Sequence, residues 1–282
     1  MGKNHKTGVV YQLNDNYFNE KSLQSCYYAG LLAADGCIVS NSNSVQIGLQ
    51  RQDRYILENF VKEIESNQTI KDIIEKEKFF SSRLHFTSKQ VKMDLESIYN
   101  ITSKKSLTLQ PPNLVNTNEI DAFICGYIDG DGSIFLSVRK NRKQGEIIFS
   151  ILGTLEMLTW IQGRFSSILG KSASVVKPKR NNGKNTFVLI ISTEKARNLF
   201  KHFYEIPVTK LQRKWKKEFY EFCINFKKES TIVLEDKKIR YTNMINKGMN
   251  FYTIAEMENS TFAYVQTFCR VQLNIRQSCN KL

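Results

Sequence analysis

The chain has 282 residues, 41% hydrophobic and 24% charged, the balance of an ordinary globular protein long enough to bury a sizeable core. No apolar run approaches the roughly 18 residues that a membrane span needs, and the N-terminus MGKNHKTGVVYQLNDNYFNEK lacks the apolar core of a secretion signal. Lysine and arginine number 41 against 27 acidic residues, a net charge of +14 that attracts polyanions: nucleic acid first, with ribosomal RNA or an anionic membrane surface as the other readings. Cys26, Cys37, Cys125, Cys223, Cys269 and Cys279 form no C-x-x-C pair, and His5, His85 and His202 are scattered. That spacing suits no zinc site and points to free thiols in a reducing cytoplasm or organelle matrix.

In chain order, residues 1–24 read as an arm. Residues 28–36, YAGLLAADG, are an apolar small-residue helix closing on Asp35-Gly36. Two strands follow, CIVS and SVQIGL; in the second, Val45, Ile47 and Leu49 alternate with Gln46, Gly48 and Gln50, the period of a one-sided sheet. YILENFVKEI is helical, and RLHFTSKQ is a strand entering a helix. A further helical segment ends in Ser103-Lys104-Lys105-Ser106. These make a first half, 25–110. Pro111-Pro112 and NLVNTNE mark a linker, 111–118.

The pattern then repeats over a second half, 119–227. Residues 124–132, ICGYIDGDG, begin 96 residues after the first copy. SIFLSVRK and EIIFSIL are its strands, with Ser133, Phe135, Ser137 and Arg139 on the face opposite Ile134, Leu136 and Val138. LEMLTWIQGRFSSIL is a helix. KPKRNNGKN is a basic hairpin with an Asn-Gly turn, placing Lys177, Lys179, Arg180 and Lys184 within reach of phosphates. TFVLIISTEK is a strand entering a helix, and Gln212-Arg213-Lys214-Trp215 is the second basic cluster.

The segment 228–238 within KKESTIVLEDKK is charged and reads as a connector. INKGMNFYTIAEMENSTFAYVQTFCRVQ, in a last unit 239–282, has helix-turn-helix spacing. Ala255 sits at the crossing, Asn259 at a turn that tolerates positive φ, and Ser260 or Thr261 at a helix cap. Val265 and Phe268 form the apolar face. Thr261, Phe262, Ala263, Gln266, Thr267 and Arg270 are expected to point outward.

Treating Tyr27–Gly36 and Phe123–Gly132 as helices puts Gly30 and Ala34 on one face of the first, and Gly126 and Gly130 likewise on one face of the second. Small residues at that spacing let two backbones approach closely. Asp35 and Asp131 then lie at helix C-termini, against the negative end of the dipole, and near each other if the helices run parallel. A divalent cation relieves both conflicts, and carboxylates with open water positions suit Mg²⁺ and phosphodiester hydrolysis.

YAGLLAADG and ICGYIDGDG, with the repeated helix-strand-strand-helix pattern over roughly residues 20–225, resemble the two motifs of single-chain LAGLIDADG homing endonucleases. The resemblance implies an α+β fold: two pseudo-symmetric αββαββα halves forming a DNA-binding saddle, here with the small all-α C-terminal unit. It implies a monomer that cuts both strands of a long DNA target with Mg²⁺, leaving short 3′ overhangs, with Ca²⁺ or Mn²⁺ as substitutes and no small-molecule substrate. Asp35 and Asp131 would be the essential metal-binding acids, assisted through backbone by Gly36 and Gly132. The earlier acidic position is Asp129 in one motif and Ala33 in the other, so Asp129 is expected to pack or support. Lys105 and Lys214 match the family's lysines near each site, either orienting water and stabilising phosphorane charge or binding the phosphate backbone. Gln50 or Arg51 fits the polar position after the second strand; Leu152-Gly153-Thr154 offers no equivalent, which predicts unequal sites. Gln46, Gln50, Arg51, Ser137 and Arg139 would face DNA bases. A non-cutting regulator and an intron maturase are the alternatives on the same scaffold.

Overall fold

The computed structural model describes residues 12–75, 79–137, 145–179, 185–226 and 229–275. They fall into two compact units, Met1–Ile224 and Asn225–Leu282. Each has its own apolar core.

The first unit contains two copies of one arrangement. The first copy runs α1 (Leu23–Asp35), β1 (Gly36–Ile38), β2 (Ser44–Gln50), a 3-10 turn (Arg51–Asp53), α2 (Arg54–Glu63), β3 (Lys71–Glu75), β4 (Phe79–Thr87), α3 (Lys89–Ser97) and the short α4 (Lys105–Thr108). The second runs α5 (Thr117–Asp131), β5 (Gly132–Ser137), β6 (Glu146–Gly153), α6 (Leu155–Leu169), β7 (Val176–Pro178), β8 (Phe187–Ile191), α7 (Thr193–Tyr204) and α8 (Lys217–Asn225). Each copy carries a four-stranded antiparallel sheet of the same order, β1-β2-β4-β3 and β5-β6-β8-β7. This is the expected α+β architecture of two pseudo-symmetric halves.

Alternation decides which sheet face is buried. Val45, Ile47 and Leu49 of β2 and Leu84 and Phe86 of β4 point into the core; Ile147, Phe149 and Ile151 of β6 and Leu189 and Ile191 of β8 do the same. The opposite faces are open. The linker is shorter than the sequence suggests, because Asn116 caps α5 through Asn118 N–H and the helix begins at Thr117.

α1 and α5 are the central pair, and their contact is backbone on backbone. A Cβ placed on Gly30 would lie 1.9 Å from the Phe123 carbonyl oxygen, and one on Gly126 would lie 1.9 Å from that of Tyr27. Gly130 meets the Cβ of Ala34 at 2.2 Å. No side chain fits at these crossings. Gly163, exposed in α6, is the contrasting case, since a Cβ there meets nothing within 4 Å. Gly163→Ala should therefore raise stability by about 0.5–1 kcal/mol, read as a higher denaturation midpoint, because only the entropic cost of a helical glycine is removed.

The second unit is helical: α9 (Glu229–Asn246), α10 (Phe251–Met257) and α11 (Phe262–Gln272). The segment expected as a connector, 228–238, is mostly the first half of α9. Its charges obscured it, yet Tyr241 further along the helix is fully buried in this unit's core and the helix carries that anchor. Asn259 takes φ 47°, as its position in the turn requires, and Thr261, not Ser260, caps α11 through Tyr264 N–H.

Candidate active site and nucleic-acid interface

The helix pair ends at the two motif aspartates. Both helices stop at glycine, but not by the left-handed cap that glycine usually supplies. Gly36 and Gly132 are extended, at φ −80° and −97°. Glycine is needed there for space: a Cβ would lie 2.6 Å from the carbonyl oxygen of Leu32 or Ile128. The chain therefore passes directly from helix into β1 and β5, which seats Asp35 and Asp131 where each helix meets its sheet.

Burial holds the Asp35 carboxyl above its ordinary range, with Lys214 and Lys105 pulling the other way. Asp131 is pushed up to about 6, by burial and then by the charge of Asp35; Lys105 and Lys214 oppose the shift. The geometry agrees: a Cβ placed on Gly130, the neighbour of Asp131, would lie 3.3 Å from an Asp35 carboxylate oxygen, which puts the two carboxylates and the two lysines in one electrostatic neighbourhood. Both lysines are buried, and burial lowers their affinity for protons while the carboxylates raise it.

The lysines answer the helix-end problem. The last carbonyls of a helix lack intrahelical donors. Lys105 Nζ donates to the carbonyls of Ala33 and Ala34, at 2.7 and 2.6 Å. Lys214 Nζ reaches the carbonyls of Ile128, Asp129, Gly130 and Gly132, at 2.9, 2.5, 3.3 and 2.6 Å. An ammonium has three protons, so Lys214 is fully engaged by backbone whereas the two bonds of Lys105 use two. Replacing Lys105 or Lys214 with Met should cost about 1–3 kcal/mol of stability by orphaning buried carbonyls. It should also raise the proton affinity of both aspartates, measurable by carboxyl-selective NMR titration.

Asp129 is the support that the sequence suggests. It is buried and accepts from Tyr27 Oη (2.8 Å), Leu211 N–H (2.8 Å) and Trp215 Nε1 (2.7 Å). Burial still raises its pKa to about 6 against those bonds. Through Leu211 and Trp215 it pins the segment that carries Lys214. The same segment is tied to the first half: Thr209 N–H donates to Gln24, Gln212 N–H donates to Tyr55 Oη, Tyr55 Oη donates to the Lys210 carbonyl, and Arg213 pairs with buried Asp53 at 2.8 Å. The Lys105 segment is tied reciprocally to the second half, where Thr154 donates to the Leu109 carbonyl and Asn185 to that of Leu107. Nothing in the repeat pattern signals these crossings.

Each aspartate opens onto the outer face of its own sheet. Asp35 borders a cavity of about 630 Å³ lined by Gln46, Lys71, Arg83 and His85. Asp131 borders one of about 410 Å³ lined by Ser133, Ser150, Leu152, Lys179 and Val188. Gln46 and Gln50 are exposed on the first face, as expected. Arg51 is exposed but lies 3.6 Å from Asp72 in an ion pair. Ser137 is half-buried opposite Glu146, Lys177 is exposed, and Lys179 is half-buried. Arg139, Arg180, Lys184 and Cys279 lie outside the described residues. Sequence reading passed over Lys71, Arg83 and His85, although Arg83 and His85 alternate with Leu84 and Phe86 at the strand period.

On α11, Thr261, Ala263, Thr267 and Arg270 are exposed. Phe262 is not an outward residue: it is half-buried and stacks on Tyr252 at 4.0 Å, because the turn at Asn259 folds it back on α10. Gln266 is half-buried too. Tyr264, overlooked in the sequence, is 46% exposed beneath the ammonium of Lys237.

Among the described residues no helix is long and apolar enough to cross a membrane. No cluster of three or more His, Cys, Asp or Glu side chains suited to a metal occurs among them. Two carboxylates with neighbouring carbonyls still suit Mg²⁺, which keeps several waters and takes its remaining ligands from a phosphate. The Gly132 carbonyl accepts Lys214 and retains a second lone pair.

No family model matches the chain, and no curated protein matches it. Solved structures do. One is the I-LtrWI LAGLIDADG homing endonuclease bound to target DNA: 12% identity, TM-score 0.50, 74% of this chain and 90% of that chain covered. A second is the meganuclease I-SmaMI bound to uncleaveable DNA: 11% identity, TM-score 0.50, coverage 79% and 97%. A double mutant of I-SmaMI gives 10% identity, TM-score 0.51 and coverage 79% and 95%. The duplicated four-stranded sheets, the glycine-mediated helix pair and these likenesses together establish that the chain has the fold of the LAGLIDADG homing endonucleases.

Proposed function

We propose that the protein is a site-specific endonuclease that hydrolyses both strands of duplex DNA at a long target, leaving short 3′ overhangs. The observation that carries this reading is the delivery of Asp35 and Asp131 to one electrostatic site at the open end of the helix pair, each beside its own sheet face. Because one chain supplies both carboxylates, a monomer suffices.

Asp35 and Asp131, with the Gly36 and Gly132 carbonyls, would hold Mg²⁺, with Ca²⁺ or Mn²⁺ as substitutes. Bound there, the cation lowers the pKa of its water and offsets charge on the phosphoryl oxygens. The protein's own groups do the rest. Lys214 spends its protons on α5, so it contributes fixed positive charge and position rather than proton transfer. Lys105 has one proton beyond its two carbonyls, available to a phosphate oxygen or a water. The two sites are accordingly unequal, with Lys105 the more adaptable lysine.

The second unit supports a helix-turn-helix role in widening the footprint, with α11 presenting Thr267 and Arg270. Truncation after Phe226 should then weaken target affinity at least ~10-fold at fixed salt and flatten its salt dependence while leaving the cleavage rate at saturating protein unchanged, as read by filter binding and single-turnover kinetics. Unchanged affinity would remove the unit from DNA binding.

The central test is incubation with Mg²⁺ and a randomised duplex library, followed by sequencing of cut ends. Selective binding with no double-strand cleavage would overturn the nuclease reading in favour of a DNA-binding regulator.

A further inference from the structure

The two sheets use one register, so their outer faces can be compared residue by residue. Gly36 pairs with Ile47 and Gly132 with Ile151. From that origin, Gln46 corresponds to Ser150, His85 to Ile190, Arg83 to Val188 and Ser44 to Ile148. The match extends to the outer strands, where Lys71 pairs with Arg83 and Lys177 with Val188.

The chemistry at these matched places differs. The first face presents glutamine, histidine and arginine. The second presents hydrocarbon at three of the four places, only Ser150 being polar: Phe135, paired with Ile148, is 43% exposed, and Ile190 is 50% exposed. An open apolar sheet face is costly in water, so one that persists beside a basic rim implies a covering surface. Here that surface must be anionic at its edges, to meet Lys177 and Lys179, and apolar at its centre. The face also starts at Asp131, so whatever lies on it reaches the proposed cutting site.

The DNA major groove meets both demands where it carries thymine, whose C5-methyl is the apolar group on its floor. We infer that the second sheet reads its half-site through thymine methyls, by Phe135, Ile148, Val188 and Ile190, whereas the first reads its half-site by hydrogen bonds. This rests on the DNA-binding reading above and deepens it: the target is an asymmetric sequence with a thymine-rich half.

The test uses the full chain and the duplex it selects from a randomised library. Deoxyuridine then replaces thymidine in one half-site at a time, which deletes the methyl and keeps every hydrogen-bonding group. Affinity should fall about fourfold per contacted methyl in one half and hold within twofold in the other. Phe135→Ala and Ile190→Ala should each abolish part of that sensitivity, and unchanged thermal midpoints would show that both variants fold. Equal affinity for thymidine and deoxyuridine duplexes overturns the inference while leaving selective DNA binding intact. Sensitivity that neither variant alters also overturns it. Failure to select any duplex sinks the DNA-binding reading itself.

Discussion

Asp131→Asn is expected to reduce double-strand cleavage by ~10³-fold or more while leaving target affinity nearly unchanged, and to make the metal-free protein more stable. The second effect follows from linkage. Burial and the charge of Asp35 push the Asp131 pKa up to about 6 from an ordinary 3.8. The folded protein thus keeps this proton where the unfolded chain has released it. The stability so gained is full below 3.8 and is lost as pH rises through about 6. Asparagine has no proton to lose. The variant should match the parent near pH 4 and exceed it above pH 6 by up to about 3 kcal/mol. Saturating Mg²⁺ should narrow the gap, since a cation bound only by the folded parent stabilises it by mass action. Urea denaturation at several pH values, with and without metal, checks the sign. Asp35→Asn should behave alike in cleavage, and its stability gain has the same direction because its carboxyl is also raised. A variant that still cuts both strands at the parental rate would remove that aspartate from the chemistry.

Gly126→Ala and Gly30→Ala are expected to be the most damaging glycine-to-alanine changes among the described residues, each costing more than ~4 kcal/mol. The added Cβ would stand 1.9 Å from a carbonyl oxygen of the opposing helix, a backbone atom that no rotamer change can move aside. The helices would have to part, taking Asp35 and Asp131 with them. The two penalties should not add, because one separation relieves both clashes. Chemical denaturation, or failure to refold, is the readout. A parental midpoint for either variant would mean that the helix backbones are not in contact.

Much of this architecture was legible in the sequence because repetition turns weak signals into strong ones. A single Asp-Gly after small residues is an ordinary turn signal. Two of them, each before an alternating strand, located the helix pair, both aspartates and both lysines. What stayed hidden was relational. The lysines read as groups aimed at substrate, but their carbonyl partners depend on where two distant segments return, which no local pattern encodes. Asp129 was legible as support but not as the anchor of Leu211 and Trp215. The connector at 228–238 was misjudged because charge density outweighed helical tendency, and Phe262 because the turn at Asn259 rotates it inward. Lys71, Arg83 and His85 stayed hidden because KDIIE carries no alternation that marks it as β3, and the outer face of β4 is defined only by its pairing with β2 and β3.

The crossed ties described around the lysines bear on how such a molecule can be divided. The Lys214 segment hangs on Gln24, Asp53 and Tyr55, and the Lys105 segment on Thr154 and Asn185. Each half therefore completes the lysine-capped helix end of the other, so the two halves are not interchangeable modules. A chimera joining the first half of this chain to a foreign second half inherits correct sheets and a correct helix interface. It also inherits the Lys105 strap without its moorings, unless Thr154 and Asn185 travel with it, while Gln24, Asp53 and Tyr55 are left facing a strap that the foreign half must supply.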